Sequence, residues 1–223
     1  MKIFKKIAAP LLSVALCTTL LNGCSPAVKA DITVNNTTFA LNDTVQTLLD
    51  GGLFLCEIGG SEIDATSNSL PSMTYDYDSK RIGYTNADGE NVSTGLVVYL
   101  YNPTSKEASY SECEIASITY FYDTEAIITG DEPENESLII NGHDFSSMTP
   151  EEAAAAFEEI GVSIDAEDKD EFINSPDGYG HIYESSGSYN YELDATTITP
   201  NSGGETYALE TLSISQDLNI SFE

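Results

Sequence analysis

An internal duplication constrains this chain more than any other feature. Ile32-Thr33-Val34-Asn35-Asn36-Thr37-Thr38-Phe39 aligns without gaps on Leu138-Ile139-Ile140-Asn141-Gly142-His143-Asp144-Phe145. In both copies a short β-rich run meets Asn-Asn or Asn-Gly, residues that tolerate the positive φ of a two-residue hairpin turn, and the returning run ends on phenylalanine. A helix cap follows each phenylalanine by four residues. Asp43 is placed to cap a helix over 44–50, which Gly51-Gly52 stops. Thr149-Pro150-Glu151-Glu152 spells a capping box with proline at the first helical position, and Ala153, Ala156, Phe157 and Ile160 then share one apolar face.

The likeness resumes toward the end of each half. Cys113-Glu114-Ile115-Ala116-Ser117-Ile118 matches Leu209-Glu210-Thr211-Leu212-Ser213-Ile214, so Cys113 falls where the second copy has leucine and is expected to be buried. Strands are predicted over 96–101, 115–122, 180–184, 189–193, 207–214 and 218–222. The fold class that follows is α+β, built as two tandem repeats over 31–130 and 137–223, each a β-hairpin, one helix and an antiparallel sheet. The acidic, proline-containing stretch 131–136 has the composition of a linker. This element order is similar to that of small secreted inhibitors of β-lactamases and of outer-membrane assembly lipoproteins, a likeness that implies nothing about a target.

The first thirty residues read differently. Lys2, Lys5 and Lys6 precede an uncharged, mainly apolar stretch over 7–21. A spanning helix needs about 20 apolar residues, so a stretch of this length reads as an export signal. Leu21-Asn22-Gly23-Cys24 resembles the lipobox of bacterial membrane lipoproteins. The resemblance implies removal of 1–23, lipid on Cys24, a short tether over 24–30, and anchoring to the cell membrane on its extracytoplasmic face. One acyl chain binds a membrane marginally, and the two or three of such an anchor hold firmly.

Without 1–23, five basic residues face 37 acidic ones, a formal charge of −32. Lys29, Lys80, Arg81, Lys106 and Lys169 make no patch able to neutralise phosphates, which excludes nucleic acid as a partner. Cys56 and Cys113 remain as an even pair in an oxidising compartment, where they could form a disulfide or stay as buried thiols.

No catalytic constellation is evident. There is no Gly-x-Ser-x-Gly elbow, His143 and His181 have no triad partners in the sequence, and no cofactor or metal site is expected. The acidic run 165–171 fails the EF-hand spacing because Asp170 stands where that loop needs glycine, and it reads as a solvated loop. Tyrosine is the one hint of binding. Pairs two residues apart, Tyr75/Tyr77, Tyr99/Tyr101, Tyr120/Tyr122 and Tyr189/Tyr191, each place two rings on one side of a strand. Tyr99 and Tyr101 are the expected binding face, since Val98 and Leu100 can face the core. The reading is a lipid-anchored, non-catalytic binding or interaction ectodomain whose partner is a protein or a small molecule. The alternatives are a solute-capture component of a transporter and an envelope hydrolase or inhibitor.

Overall fold

The computed structural model describes residues 30–57, 60–131, 136–175 and 177–218. The export signal and Cys24 lie outside the described residues, and Ala30, at the end of the expected tether, is already buried. The first half runs β1 (Asp31–Val34), β2 (Thr37–Ala40), α1 (Val45–Asp50), β3 (Leu53–Cys56), β4 (Ser69–Leu70), β5 (Thr74–Tyr75), β6 (Lys80–Thr85), β7 (Asn91–Asn102), β8 (Ala108–Ser109), β9 (Glu114–Phe121) and α2 (Thr124–Thr129). The second runs β10 (Leu138–Ile140), β11 (His143–Asp144), α3 (Pro150–Glu159), α4 (Ala166–Ile173), β12 (Tyr179–Ser186), β13 (Tyr189–Ile198) and β14 (Thr206–Gln216). The fold is α+β with antiparallel sheets.

Both hairpins form as the sequence predicts. Asn35, Asn36, Asn141 and Gly142 all take positive φ, the conformation for which those residues are suited. The two hairpins also pair with each other, giving a four-stranded sheet in the order β11-β10-β1-β2. Ile32 stands opposite Ile140, Thr33 opposite Ile139, and Val34 opposite Leu138. The pairing is reciprocal: each residue faces the partner that a two-fold rotation through Thr33 and Ile139 requires.

The remaining long strands form one eight-stranded sheet, with β5 pairing β7 beside the path β12-β13-β14-β9-β7-β6-β3. The two repeats expected over 31–130 and 137–223 therefore do not form separate sheets, and each half carries two α-helices among the described residues where one was expected. At the centre β9 pairs β14, with Ile118 opposite Ile214 and Ser117 opposite Ser215. The aligned isoleucines again meet on a local two-fold, and three-stranded meanders, β6-β7-β9 and β12-β13-β14, extend to either side. Beyond the meanders the halves diverge. The first adds β3 at the edge and a small β4-β8 sheet, and the second adds α4 against β12.

A single buried cluster joins both halves, including Ile32, Phe39, Leu96, Ile118, Phe157 and Leu212. Phe157 of α3 is fully buried between Phe145 and Tyr191, at ring-centroid distances of 5.5 and 5.7 Å. Burying a side chain of this size contributes about 1.5–3 kcal/mol. The capping box that starts α3 is complete, with Thr149 and Glu152 satisfying each other's backbone N–H groups.

Several expectations need correction. Helix α1 starts one residue later than predicted, after Thr44, because the Asp43 carboxylate turns back to accept the N–H of Ala40. The acidic run 165–171 is mostly helix and not a loop: Asp165 caps it by accepting the Glu167 N–H, and Phe172 anchors it in the core. Leu218 lies past the end of β14 outside any strand, and the rest of the strand expected over 218–222 falls outside the described residues. The Cys56–Cys113 bridge is not formed, and both are free buried thiols. They are three strand spacings and six residues apart, on the order of 20 Å, far beyond the reach of a disulfide. Burial pushes the Cys113 thiol up to about 11, with Glu112 and Asp76 adding to the effect. No helix among the described residues is long and apolar enough to cross a membrane.

Candidate functional site

One face of the large sheet packs on the core through Ile82, Val98, Ile118, Ile214 and Leu193. The other carries the polar chemistry. Lateral pairing sets Arg81, Val97, Thr119, Ser213, Glu192 and Tyr183 in one row across six strands of that second face. Three features stand on it.

At the β6–β7 contact a bulge opens a pocket of about 560 Å³. Arg81 pairs with Val97 and Gly83 with Ser93, so Thr94, Gly95 and Leu96 together oppose Ile82 alone. Thr94 pins the bulge, since its hydroxyl donates to Ile82 O at 2.8 Å and accepts the Leu96 N–H. Gly95 is required here, because a Cβ would meet Phe121 O at 2.6 Å. The N–H of Gly95 donates to Glu136 Oε2 at 3.1 Å, which brings a carboxylate to the rim. Arg81, Tyr84, Phe121, Tyr122, Asp123 and Glu136 line the cavity.

Arg81 is the unusual member. Lys80 meets Asp76 at 2.9 Å and Lys169 meets Glu158, as expected in so acidic a chain. Arg81 makes no ion pair among the described residues; its Nη1 donates to Thr94 O at 3.3 Å, and its Nε is buried with no acceptor. A buried donor left unsatisfied costs about 1–3 kcal/mol.

The second feature is the tyrosine face, where the structure places Tyr99 and Tyr101 as expected. Val98 and Leu100 are fully buried, and both tyrosines are half-buried on the opposite side. Tyr99 stacks on Tyr75 at 6.2 Å, Tyr77 meets Tyr75 edge-on at 5.0 Å, and the Tyr101 hydroxyl lies 3.9 Å from the Met73 sulfur. Tyr77 is 69% exposed and Met73 57%. Burial, with Tyr99 and Tyr77 close by, pushes the Tyr75 phenol up to about 12. The other tyrosine pairs serve the interior: Tyr120 and Tyr191 are core residues.

The third feature was not legible in the chain. His181 on β12 stands directly opposite Asp194 on β13, and Glu192 lies two residues along the same strand. Nδ1 of His181 is 2.8 Å from Asp194 Oδ1 and 3.7 Å from Glu192 Oε1. The Tyr179 hydroxyl also donates to Asp194 Oδ1, and Thr211 donates to Oδ2 at 2.6 Å. Partial burial raises the Asp194 carboxyl, but the hydrogen bonds from Thr211, Tyr179 and His181 outweigh it and hold it below the usual aspartate range. Glu192 is held above its usual range by partial burial and by Asp194. His143, the other histidine, sits in β11 with Nδ1 3.6 Å from Glu159 Oε2. The signal for the cluster was the alternation Glu192-Leu193-Asp194, which puts two carboxylates on one face, but only strand pairing brings His181 to them.

No known family model matches the chain, no curated protein matches it, and no solved structure does.

Proposed function

We propose that this chain is a lipid-anchored extracytoplasmic binding protein whose non-catalytic ectodomain takes a small carboxylate-bearing ligand in the Arg81 pocket. The observation that carries the reading is the buried Nε of Arg81, which among the described residues has no acceptor, on an arginine that makes no ion pair among them. A carboxylate in the pocket supplies the missing acceptor in a charge-assisted bond once the guanidinium turns its Nε edge toward the cavity. Asp123 and Glu136 on the same pocket disfavour a plain anion and suit an amine on the same molecule. Tyr84, Phe121 and Tyr122 suit an apolar body between the two charges. The ligand class is therefore a zwitterion of the amino-acid type.

Saturation-transfer NMR tests this with L-phenylalanine, 3-phenylpropionate and phenethylamine as probes. The zwitterion should give the strongest saturable signal, and Arg81→Met should abolish it without lowering the melting temperature. Equal binding of phenethylamine, or retention by the Arg81→Met protein, overturns the assignment. The lipobox-like Leu21-Asn22-Gly23-Cys24 supports the anchoring half of the reading, and mass spectrometry of the membrane fraction tests it. An acylated N-terminal Cys24 peptide and a soluble Cys24→Ser protein are expected.

The tandem repeat belongs to the same proposal. The reciprocal pairings Ile32–Ile140 and Ile118–Ile214 support descent of 31–130 and 137–223 from one duplicated unit. A second reading rests on the tyrosine face. The exposed Met73 and Tyr77 beside the Tyr75–Tyr99 stack favour a protein partner docked there. Substituting Tyr99 and Tyr101 together by serine should leave the fold intact and weaken recovery of whatever crosslinks to the lipoprotein on cells.

A further inference from the structure

We propose that His181, Glu192 and Asp194 form a binding site for a single divalent transition-metal ion of the zinc class, independent of the Arg81 pocket. The three residues come from two neighbouring strands, where backbone pairing fixes their separation: His181 lies across from Asp194, and Glu192 lies on the diagonal. Each offers one ligand atom, and these atoms all lie within 4.8 Å of one another. Zinc bonds to nitrogen and oxygen are about 2.0–2.2 Å, so two ligands of a tetrahedral ion sit about 3.4 Å apart. The observed 2.8 Å from His181 Nδ1 to Asp194 and 3.7 Å to Glu192 bracket that spacing, and small side-chain rotations reach it.

The ligand set selects the ion. One imidazole nitrogen with two carboxylate oxygens suits a borderline cation, whereas calcium and magnesium prefer all-oxygen shells. The metal on Nδ1 takes the place of the proton shared with Oδ1: a neutral ring moves that proton to Nε2 and a protonated ring releases it to solvent, so Nε2 carries the N–H in either case. The surroundings already hold the ligands in place. Thr211 fixes the Asp194 carboxylate through Oδ2, Tyr179 occupies the remaining direction on Oδ1, and the Tyr183 ring stacks on the imidazole at 6.5 Å and 16°. Two carboxylates whose oxygens lie this close to each other are relieved by a cation. Three protein ligands leave a fourth position to water.

Zinc titration calorimetry on the untagged lipoprotein in detergent, with excess magnesium present to saturate the general acidity of the surface, tests the site. One equivalent of zinc should bind at micromolar or lower Kd. His181→Ala and Glu192→Gln should each weaken it at least tenfold, and His143→Ala should leave it unchanged. Cobalt(II) bound in place of zinc should give a visible absorption band that His181→Ala removes, and circular dichroism on every variant separates lost ligands from lost fold. Zinc binding that magnesium competes away, or that survives His181→Ala, overturns the proposal.

Discussion

Tyr99 pairs with Ser117, and Glu192 pairs with Ser213; the two serines hold the same place in the aligned runs 113–118 and 209–214. The two meanders thus present matched positions on the same face of one sheet, and they carry opposite chemistry there. In the first half the position belongs to a stacked tyrosine cluster. In the second it belongs to a carboxylate beside a histidine. Strand pairing depends on backbone and on the core-facing residues, so solvent-facing residues can differ between the meanders without disturbing the register. The pocket follows the same logic, because its bulge at Thr94–Leu96 belongs to β7 alone.

The largest expected effect tests whether the halves are one folding unit. Phe157 packs on Phe145 and Tyr191 and belongs to the cluster that includes Ile32, Leu96 and Ile118 of the first half. Phe157→Ala should cost about 3–5 kcal/mol. Chemical denaturation should still show one transition, with tyrosine fluorescence and far-ultraviolet dichroism coinciding. A biphasic curve in which the first half survives would mean that the two halves are energetically separate despite their shared sheets.

The helix starts sharpen the comparison on a smaller scale. Thr149 holds a complete capping box, whereas Thr44, at the corresponding start of α1, makes no side-chain cap bond. Thr149→Ala should therefore cost about 1 kcal/mol, and Thr44→Ala no more than about 0.5 kcal/mol. Equal losses would show that the two helix starts differ less in energy than their geometry indicates.

Turn and cap chemistry is local, which is why both hairpins, the α3 capping box and the alternation of Val98 and Leu100 with Tyr99 and Tyr101 were legible in the chain. What depends on distant pairing was not. The disulfide expectation counted cysteines without knowing that two strands separate the strands carrying Cys56 and Thr119. The acidic run 165–171 was judged by its charge, although Asp165 as a cap and Phe172 as an anchor decide for helix. Arg81 gave no signal because its meaning lies in the lack of a partner among the described residues, and His181 gave none because register alone sets it against Asp194.

At the matched positions themselves, neutral substitutions should act with opposite sign. Tyr99→Ser removes the ring stacked on Tyr75, a pair worth about 0.5–1.5 kcal/mol beyond its buried area, and should lower stability at every pH below the tyrosine range. Glu192 is different because its carboxyl is raised in the folded state, first by partial burial and then by Asp194. A carboxyl raised on folding favours the native state most fully below its unfolded pKa, and that contribution is lost as pH rises through the folded value. In chelator at pH 7 the ionised Glu192 is thus a small burden, and Glu192→Gln should melt slightly higher than the unchanged protein. At pH 4 the advantage should vanish. Zinc should reverse the order at pH 7, since only the carboxylate is a ligand. A Glu192→Gln protein that melts lower in chelator would show that the 3.7 Å approach to His181 outweighs burial, and that the second meander gains stability from this charge in the way the first gains it from its tyrosines.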